Sequence, residues 1–254
     1  NTMKNYKIMS CNLNGINAAF LRGFEKVVKE VNPDIICVQE VKTPEHKLKD
    51  KVRNIPGYKS KFYTRERGRS SGVAIYTKIK PELVLWGLGI EDGKEGRLLR
   101  LDYDDFVLIN AYAPNGHSEE IIKHKIDFIY NTFHYVVSLR QQGHNVILCG
   151  DFNVAHTEQD LYNPNYTGPG YLPEERKLFD ELIDSGFVDT YRVFHPEGRE
   201  YTWRSSRLRE YEIQGGFKFD YIFVNKKLQK NLKNAYMLNY ELSDHDQLIL
   251  ELEI

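Results

Sequence analysis

Apolar residues gather in short runs at positions 8–13, 35–41, 73–76, 98–101, 107–112, 146–149, 221–224 and 248–254, each bounded by polar or turn-forming residues. Runs of this length predict β-strands. Between them Ile122, Ile126, Ile129, Phe133 and Val137 recur at three- and four-residue steps, predicting one long helix with an apolar stripe that ends near Gly143. A second helix opens at Pro173, carries Glu174 and Glu175 in its first turn, turns Leu178, Phe179, Leu182 and Ile183 inward and stops at Gly186. No Pro- or Ser-rich linker, low-complexity block or internal repeat interrupts the pattern, so one mixed α/β domain over residues 1–254 is expected.

Composition narrows the function more than the fold. With 41% hydrophobic and 28% charged residues the chain has ample material for a core. A net charge of -1 means that attraction for nucleic acid must come from a local basic face. Two loops offer one: residues 63–72 with Arg65, Arg67 and Arg69, and residues 204–216 with Arg204, Arg207 and Arg209. Both also read as solvated surface charge, and only their position relative to a site decides. Cys11, Cys37 and Cys149 are odd in number, far apart and set in apolar runs, which reads as buried free thiols in a reducing compartment. The first residues show no signal-peptide pattern, and no apolar stretch approaches the roughly 20 residues of a membrane helix. A soluble, cytoplasmic protein with no membrane partner is expected.

The chemistry sits where the apolar runs end. Residues 8–11 run into Asn12-Leu13-Asn14-Gly15, residues 35–38 into Gln39-Glu40, residues 107–109 into Asn110-Ala111-Tyr112, and residues 146–149 into Gly150-Asp151-Phe152-Asn153. Asp220 interrupts an aromatic run, and Ser243-Asp244-His245 precedes the last strand. Taken singly, each has a plain structural reading as an Asx turn, a surface acid or a satisfied histidine. Their recurrence argues otherwise, because functional groups in mixed sheets gather at strand ends. The set is rich in oxygen and poor in thiolate, which suits a hard cation such as magnesium better than zinc. Neither a nucleotide-phosphate loop nor a serine nucleophile elbow is present. Metal-assisted hydrolysis of a phosphoester is the chemistry that remains.

These motifs, with Gln39-Glu40-Val41-Lys42, Asn110 to Gly116, Gly150 to His156 and Phe219-Asp220-Tyr221, occur in the order found in the exonuclease III family of abasic-site endonucleases, which the chain resembles over nearly its whole length. Residues 160–164, 173–176 and 186–192 are similar to stretches of the abasic-endonuclease branch. The resemblance implies an α+β fold, the DNase I-like four-layer α/β/β/α sandwich, in which two mixed β-sheets pack face to face with helices outside. It implies Mg2+ as the cofactor, with Mn2+ able to substitute, and double-stranded DNA with abasic sites or 3' ends as the partner of a monomer.

By the same resemblance Glu40 is the main metal ligand, with Asn14 and Asp244 contributing. Asp151, oriented by Asn153 and Asn12, positions and deprotonates the attacking water. Tyr112 and His245 contact the scissile phosphate, and Asp220 fixes the ring of His245; whether Asp151 or His245 is the base stays open. Lys42, Asn115 and Asn163 match positions near phosphates. Trp203, Phe217 and Phe219 match the pocket for a flipped-out base-free sugar, and read alternatively as core aromatics. Arg204 after Trp203, Phe217 in place of a frequent Trp, and a short loop over residues 166–170 depart from the family pattern and predict a roomier pocket that admits some intact nucleotides. Two other readings compete: a small-molecule or lipid phosphodiesterase or phosphatase on the same scaffold, and a noncatalytic DNA-binding module. The second has no use for so many carboxylates beside phosphates.

Overall fold

The structure is a computed structural model that describes residues 2–90, 94–204 and 216–254, so Arg207 and Arg209 lie outside the described residues. Its described residues form two six-stranded sheets. The first contains β1 (Asn5–Asn12), β2 (Ile35–Gln39), β3 (Lys59–Tyr63), β4 (Val73–Thr77), β11 (Leu232–Leu238) and β12 (Gln247–Glu253), in the order β11-β12-β1-β2-β4-β3. The second contains β5 (Leu83–Trp86), β6 (Leu98–Asp102), β7 (Val107–Tyr112), β8 (Val146–Asp151), β9 (Phe187–Asp189) and β10 (Asp220–Asn225), in the order β5-β6-β7-β8-β10-β9. Each sheet has one parallel pair, β1 with β2 and β7 with β8, among antiparallel neighbours. This is the four-layer α+β sandwich that the resemblance implies.

Both faces of the central strands are buried, which is why they read as unbroken apolar runs. Ile8, Cys37 and Ile75 of the first sheet meet Leu108, Ile147, Cys149 and Ile222 of the second in the layer between the sheets. The opposite face of the first sheet packs under α1 (Ile16–Leu21), α2 (Phe24–Val31) and α3 (Asp50–Arg53), through Met9, Ile36, Phe24 and Val28 among others. The opposite face of the second packs under α4 (Glu119–Gln141) and α5 (Pro173–Asp184), through Ile109, Leu148, Phe133 and Phe179. A short α6 (Thr190–Phe194) follows β9. All three cysteines are buried and free, as expected.

Helix α4 differs from the sequence reading in its phase. Its buried face is Lys125, Phe128, Ile129, Thr132, Phe133, Val136 and Leu139, with Ile122, Ile126 and Val137 at the margins. A lysine therefore lies within the stripe. Helix α5 keeps its expected limits, but Glu175 of its first turn is fully buried. Several strand ends also move: β1 begins at Asn5, β2 stops at Gln39, because Glu40 takes a left-handed φ of 52°, and β8 continues through Asp151. Among the described residues no helix is long and apolar enough to cross a membrane.

Register then sets the place of the functional groups. Tyr112, Asp151 and Asp220 are direct neighbours across β7, β8 and β10, and Asn12 lies beside Gln39 across β1 and β2. Behind them the second sheet is held by a buried cation. Lys218 is fully buried, its Nζ donates to Asp189 Oδ2 at 2.7 Å, and it lies 3.5 Å from the centre of the Tyr221 ring. Removing one partner of such a pair strands the other charge away from water. Lys218→Met is expected to lower stability by about 3–5 kcal/mol, and Lys218→Met with Asp189→Leu to recover part of the loss, both read by urea unfolding.

Candidate active site

A chain of hydrogen bonds crosses the seam between the two sheets. The Asn12 carboxamide, from β1, donates to Asp151 Oδ2 at 2.8 Å and to Glu40 Oε1 at 2.7 Å, so one side chain joins carboxylates carried by opposite sheets. Asp151 is fully buried, and its other oxygen accepts the Asn153 backbone N–H at 2.9 Å. Asn153 also ties back through Nδ2 to the Ala113 carbonyl at 3.1 Å. His245 Nδ1 lies 2.8 Å from Asp220 Oδ2, which turns Nε2 toward Asp151 Oδ2 at 3.6 Å. Asn12, Asp151, Asp220 and His245 are all nearly inaccessible to solvent.

The loops close round this centre. Asn14 caps the Asn12 side chain through its own N–H at 2.9 Å and reaches Asp244 Oδ1 with Nδ2 at 3.2 Å. Asp244 takes a further bond from Trp203 Nε1 at 3.0 Å. Lys42 donates to Asn14 Oδ1 and lies 3.2 Å from Glu40. Asn14, Glu40, Lys42 and Asn153 all have φ between 44° and 58°, the left-handed region that non-glycine residues seldom occupy. Four such residues at one place mark a site where position outweighs local backbone preference.

Electrostatics follow from burial. Burial alone would drive the proton from His245, but Asp220, Asp151 and Asp244 outweigh it and raise its pKa to about 10. Burial and the neighbouring Asp220 and Glu40 charges push Asp151 well above the carboxylate range, against the opposing pull of His245. Burial, with Glu40 and Asp151, holds the Tyr112 hydroxyl protonated well above its ordinary value. Arg97 steadies that tyrosine, donating to its carbonyl at 3.1 Å with the guanidinium 5.3 Å from its ring centre.

Glu40, Asp151 and His245 each bring a ligand atom within 4.8 Å of the other two. The carboxylate oxygens of Glu40 and Asp151 suit a hard divalent cation, so these residues fit a metal, whereas the protonated His245 ring would not be a ligand. Asp244 falls outside that group of three, its carboxylate engaged by Asn14 and Trp203.

The centre opens into a cleft of about 1000 Å³ that Asn115, Asn163, Trp203, Phe217 and Phe219 all line. Phe217 and Phe219 stack 4.8 Å apart, Trp203 lies 5.5 Å from Phe219, and Tyr166 meets Phe217 edge-on. The sequence candidates thus converge on one cavity. Beside it a second groove, sharing Lys42, is lined by Lys47, Arg67 and Arg69, which puts part of the first basic loop next to the site. Arg65 instead turns to Ser71 and Glu95. Lys125 and Tyr166 also line the cleft. Lys125 was not anticipated, although a lysine in phase with an apolar stripe was an available signal; Tyr166 belongs to the 166–170 loop that the sequence tied to the pocket only as a whole.

Comparison with known proteins agrees with this geometry. Residues 9–245 match the endonuclease/exonuclease/phosphatase family. The chain is 34% identical over 235 residues to a DNA-(apurinic or apyrimidinic site) endonuclease of Dictyostelium discoideum, covering 89% of this chain and 64% of that protein, just under two thirds of its length. It is 33% identical to an exodeoxyribonuclease of Bacillus subtilis, over 90% of this chain and 92% of that one. Among solved structures, an AP endonuclease from Archaeoglobus fulgidus superposes with a TM-score of 0.85 at 28% identity, covering 96% of this chain and 98% of the other. A 3'-5' exonuclease from Neisseria meningitidis gives 0.88 at 26% identity, covering 97% and 99%.

The raised His245 pKa has a signed consequence. A charge gained above the ordinary imidazole value of 6.5 contributes stability that is fully present below that value and is lost as pH rises through about 10. In EDTA-treated protein, Asp220→Asn is expected to lower the His245 pKa by about 1–3 units and to move this alkaline loss of stability to lower pH. Imidazole NMR titration reads the pKa, and an unchanged value would show that Asp220 does not hold the charge.

Proposed function

Because the chain belongs to the endonuclease/exonuclease/phosphatase family, we propose that it is a magnesium-dependent DNA repair nuclease that incises duplex DNA on the 5' side of abasic sites, leaving a 3' hydroxyl, and trims 3' ends. The observation that carries this reading is the junction of two unlike halves in one cleft. One half is the Glu40, Asp151 and His245 cluster. The other is the aromatic wall of Trp203, Phe217 and Phe219, shaped for an unpaired sugar turned out of the duplex. The basic groove shared through Lys42 extends the site in the manner that a long polyanion requires. A small-molecule or lipid phosphodiesterase has no need of that extension.

In this reading Glu40 holds Mg2+, with Asn14 and Asp244 supporting it directly or through water. The cation, when bound, polarises the phosphoryl oxygens and stabilises charge on the departing oxygen. Asp151, fixed by the Asn12 amide and the Asn153 N–H, takes the proton from the attacking water. Water oxygen bonds to phosphorus as the bond to the upstream O3' breaks. His245, kept cationic by Asp220, and the protonated Tyr112 hydroxyl donate to the phosphate oxygens, where negative charge builds. In this reading Asp151, the carboxylate whose proton affinity burial raises, serves as the base and His245 as the cation facing the phosphate. Lys42, Asn115 and Asn163 bind flanking phosphates. The protein acts as a single-domain monomer.

The decisive experiment is cleavage of a labelled duplex bearing one stable abasic analogue, with Mg2+ and with EDTA. A single Mg2+-dependent cut on the 5' side is expected, and Asp151→Asn should lower its rate by at least about a thousandfold, as loss of a general base in a dry site does. Hydrolysis of small phosphoesters without DNA cleavage would overturn the assignment.

A further inference from the structure

Outside the catalytic hydrogen-bond chain lies a buried ion pair with contacts on both sides of the cleft. Lys125 of α4 is 2% exposed, Glu175 of α5 is fully buried, and their charged groups are in direct contact. Lys125 Nζ donates to the carbonyl of Asn153 at 2.8 Å, the residue whose N–H orients Asp151. Glu175 Oε1 accepts two backbone N–H groups, from Gly170 of the pocket wall at 2.8 Å and from Leu172, the N-cap of its own helix, at 2.9 Å.

The two loops also touch each other, since the Gly170 carbonyl accepts from Ala155 N–H at 2.8 Å. Gly170 has a φ of 94°, and a side chain there would sit 3.4 Å from the Phe219 ring and 3.5 Å from the Asn153 carbonyl. Pocket wall and catalytic turn thus meet at a residue with no side chain, and both are fastened to the same two charges. Burying an ammonium and a carboxylate is costly, so a pair whose other polar partners are backbone groups at or beside the site favours a defined geometry over bulk stability.

We propose that Lys125 and Glu175 are positioning residues that hold the turn bearing Asp151 and Asn153 in register with the pocket wall, so that placement of the attacking water and choice of substrate are set together. The proposal rests on the nuclease reading above for its kinetic consequence and on hydrogen exchange for one that is independent of activity. Lys125→Met removes the donor to Asn153. Glu175→Gln keeps an oxygen for Gly170 and Leu172 and removes only the charge.

The test combines steady-state kinetics in Mg2+, on an abasic-analogue duplex and on a duplex with an undamaged 3' end, with amide exchange measured in EDTA. Lys125→Met is expected to lower kcat on the abasic duplex by about 10- to 100-fold, the scale of a misplacement near 1 Å, with KM within about twofold. Lys125→Arg, which keeps a cation, should restore most of kcat. Glu175→Gln should lower the ratio of abasic to undamaged kcat/KM by about threefold, a shift of about 0.6 kcal/mol. In Lys125→Met, exchange should quicken together at Asn153 and Gly170, although the substitution touches only the first. Wild-type kcat and selectivity in folded Lys125→Met and Glu175→Gln, or quickened exchange at Asn153 alone, would overturn the proposal. Failure of the wild type to cut either duplex would instead overturn the nuclease reading, and the exchange result would still decide the coupling of the two loops.

Discussion

The site depends on two sheets being held in one register, and amide side chains crossing the seam do the holding. Immediately below the reactive groups, Gln39 Nε2 from the first sheet donates to Asn110 Oδ1 of the second at 2.8 Å. Asn110 returns two bonds, to the Val38 and Ala74 carbonyls at 3.0 Å. All of this is dry, so a slip of either sheet would leave several donors and acceptors unpaired at a cost of about 1–3 kcal/mol each. Apolar packing alone tolerates small shifts. The buried amides do not, and Asn12, paired in register with Gln39, inherits their precision in reaching Glu40 and Asp151 together.

Such a seam explains how so many charges can be confined in so little water. Asp151 and Asp220 occupy the ends of largely apolar strands and His245 the buried connection before β12, so the interaction between them passes through protein rather than solvent. In that setting the Asp220 carboxylate fixes both the orientation and the charge of His245. The left-handed backbone at Asn14, Glu40, Lys42 and Asn153 has the same origin: a strand that continued regularly would carry its next side chain to the opposite face, away from the seam.

Sequence pattern revealed the interior of this fold and missed its borders for one physical reason. The eight strands legible as apolar runs are the eight interior strands, buried on both faces. The four that escaped, β3, β5, β9 and β11, are the four sheet edges. An edge strand keeps a face or a rim in solvent, as in β5 where Leu83, Leu85 and Trp86 are exposed, so its composition blends with that of loops. The site was legible because its residues interrupt apolar runs, where chance polar residues are scarce. Gln39 and Asn110 interrupt them too, yet their side chains tie the sheets together, so an interruption marks a buried polar group before it marks a reactive one. Glu175 illustrates the opposite limit: an acid in the first turn of a helix has an ordinary explanation in the helix dipole, which hid its contact with the pocket wall.

Division of labour between the sheets follows from where the chain crosses the seam. The first sheet and its loops supply Asn12, Asn14, Glu40 and Lys42, the groups on the side proposed to hold the metal. The second supplies Tyr112, Asp151, Asn153 and Asp220, and the segments leading into β10 supply the aromatic wall. His245 and Asp244 come from the connection between β11 and β12 of the first sheet, yet they bond to Asp220 and to Trp203. The backbone bridges of Trp203 to both Phe217 and His245, with the bond from its indole to Asp244, make this residue the joint between pocket and catalytic centre. On the proposed reading, a sugar lodged against the wall would press on the same residue whose Nε1 holds Asp244, and its recognition would reach the proposed metal side through that hydrogen bond. Selectivity in such a site need not reside in the pocket's volume alone: a group that fits the wall but displaces Trp203 would disturb Asp244 and Asn14, and so bind without being placed for reaction.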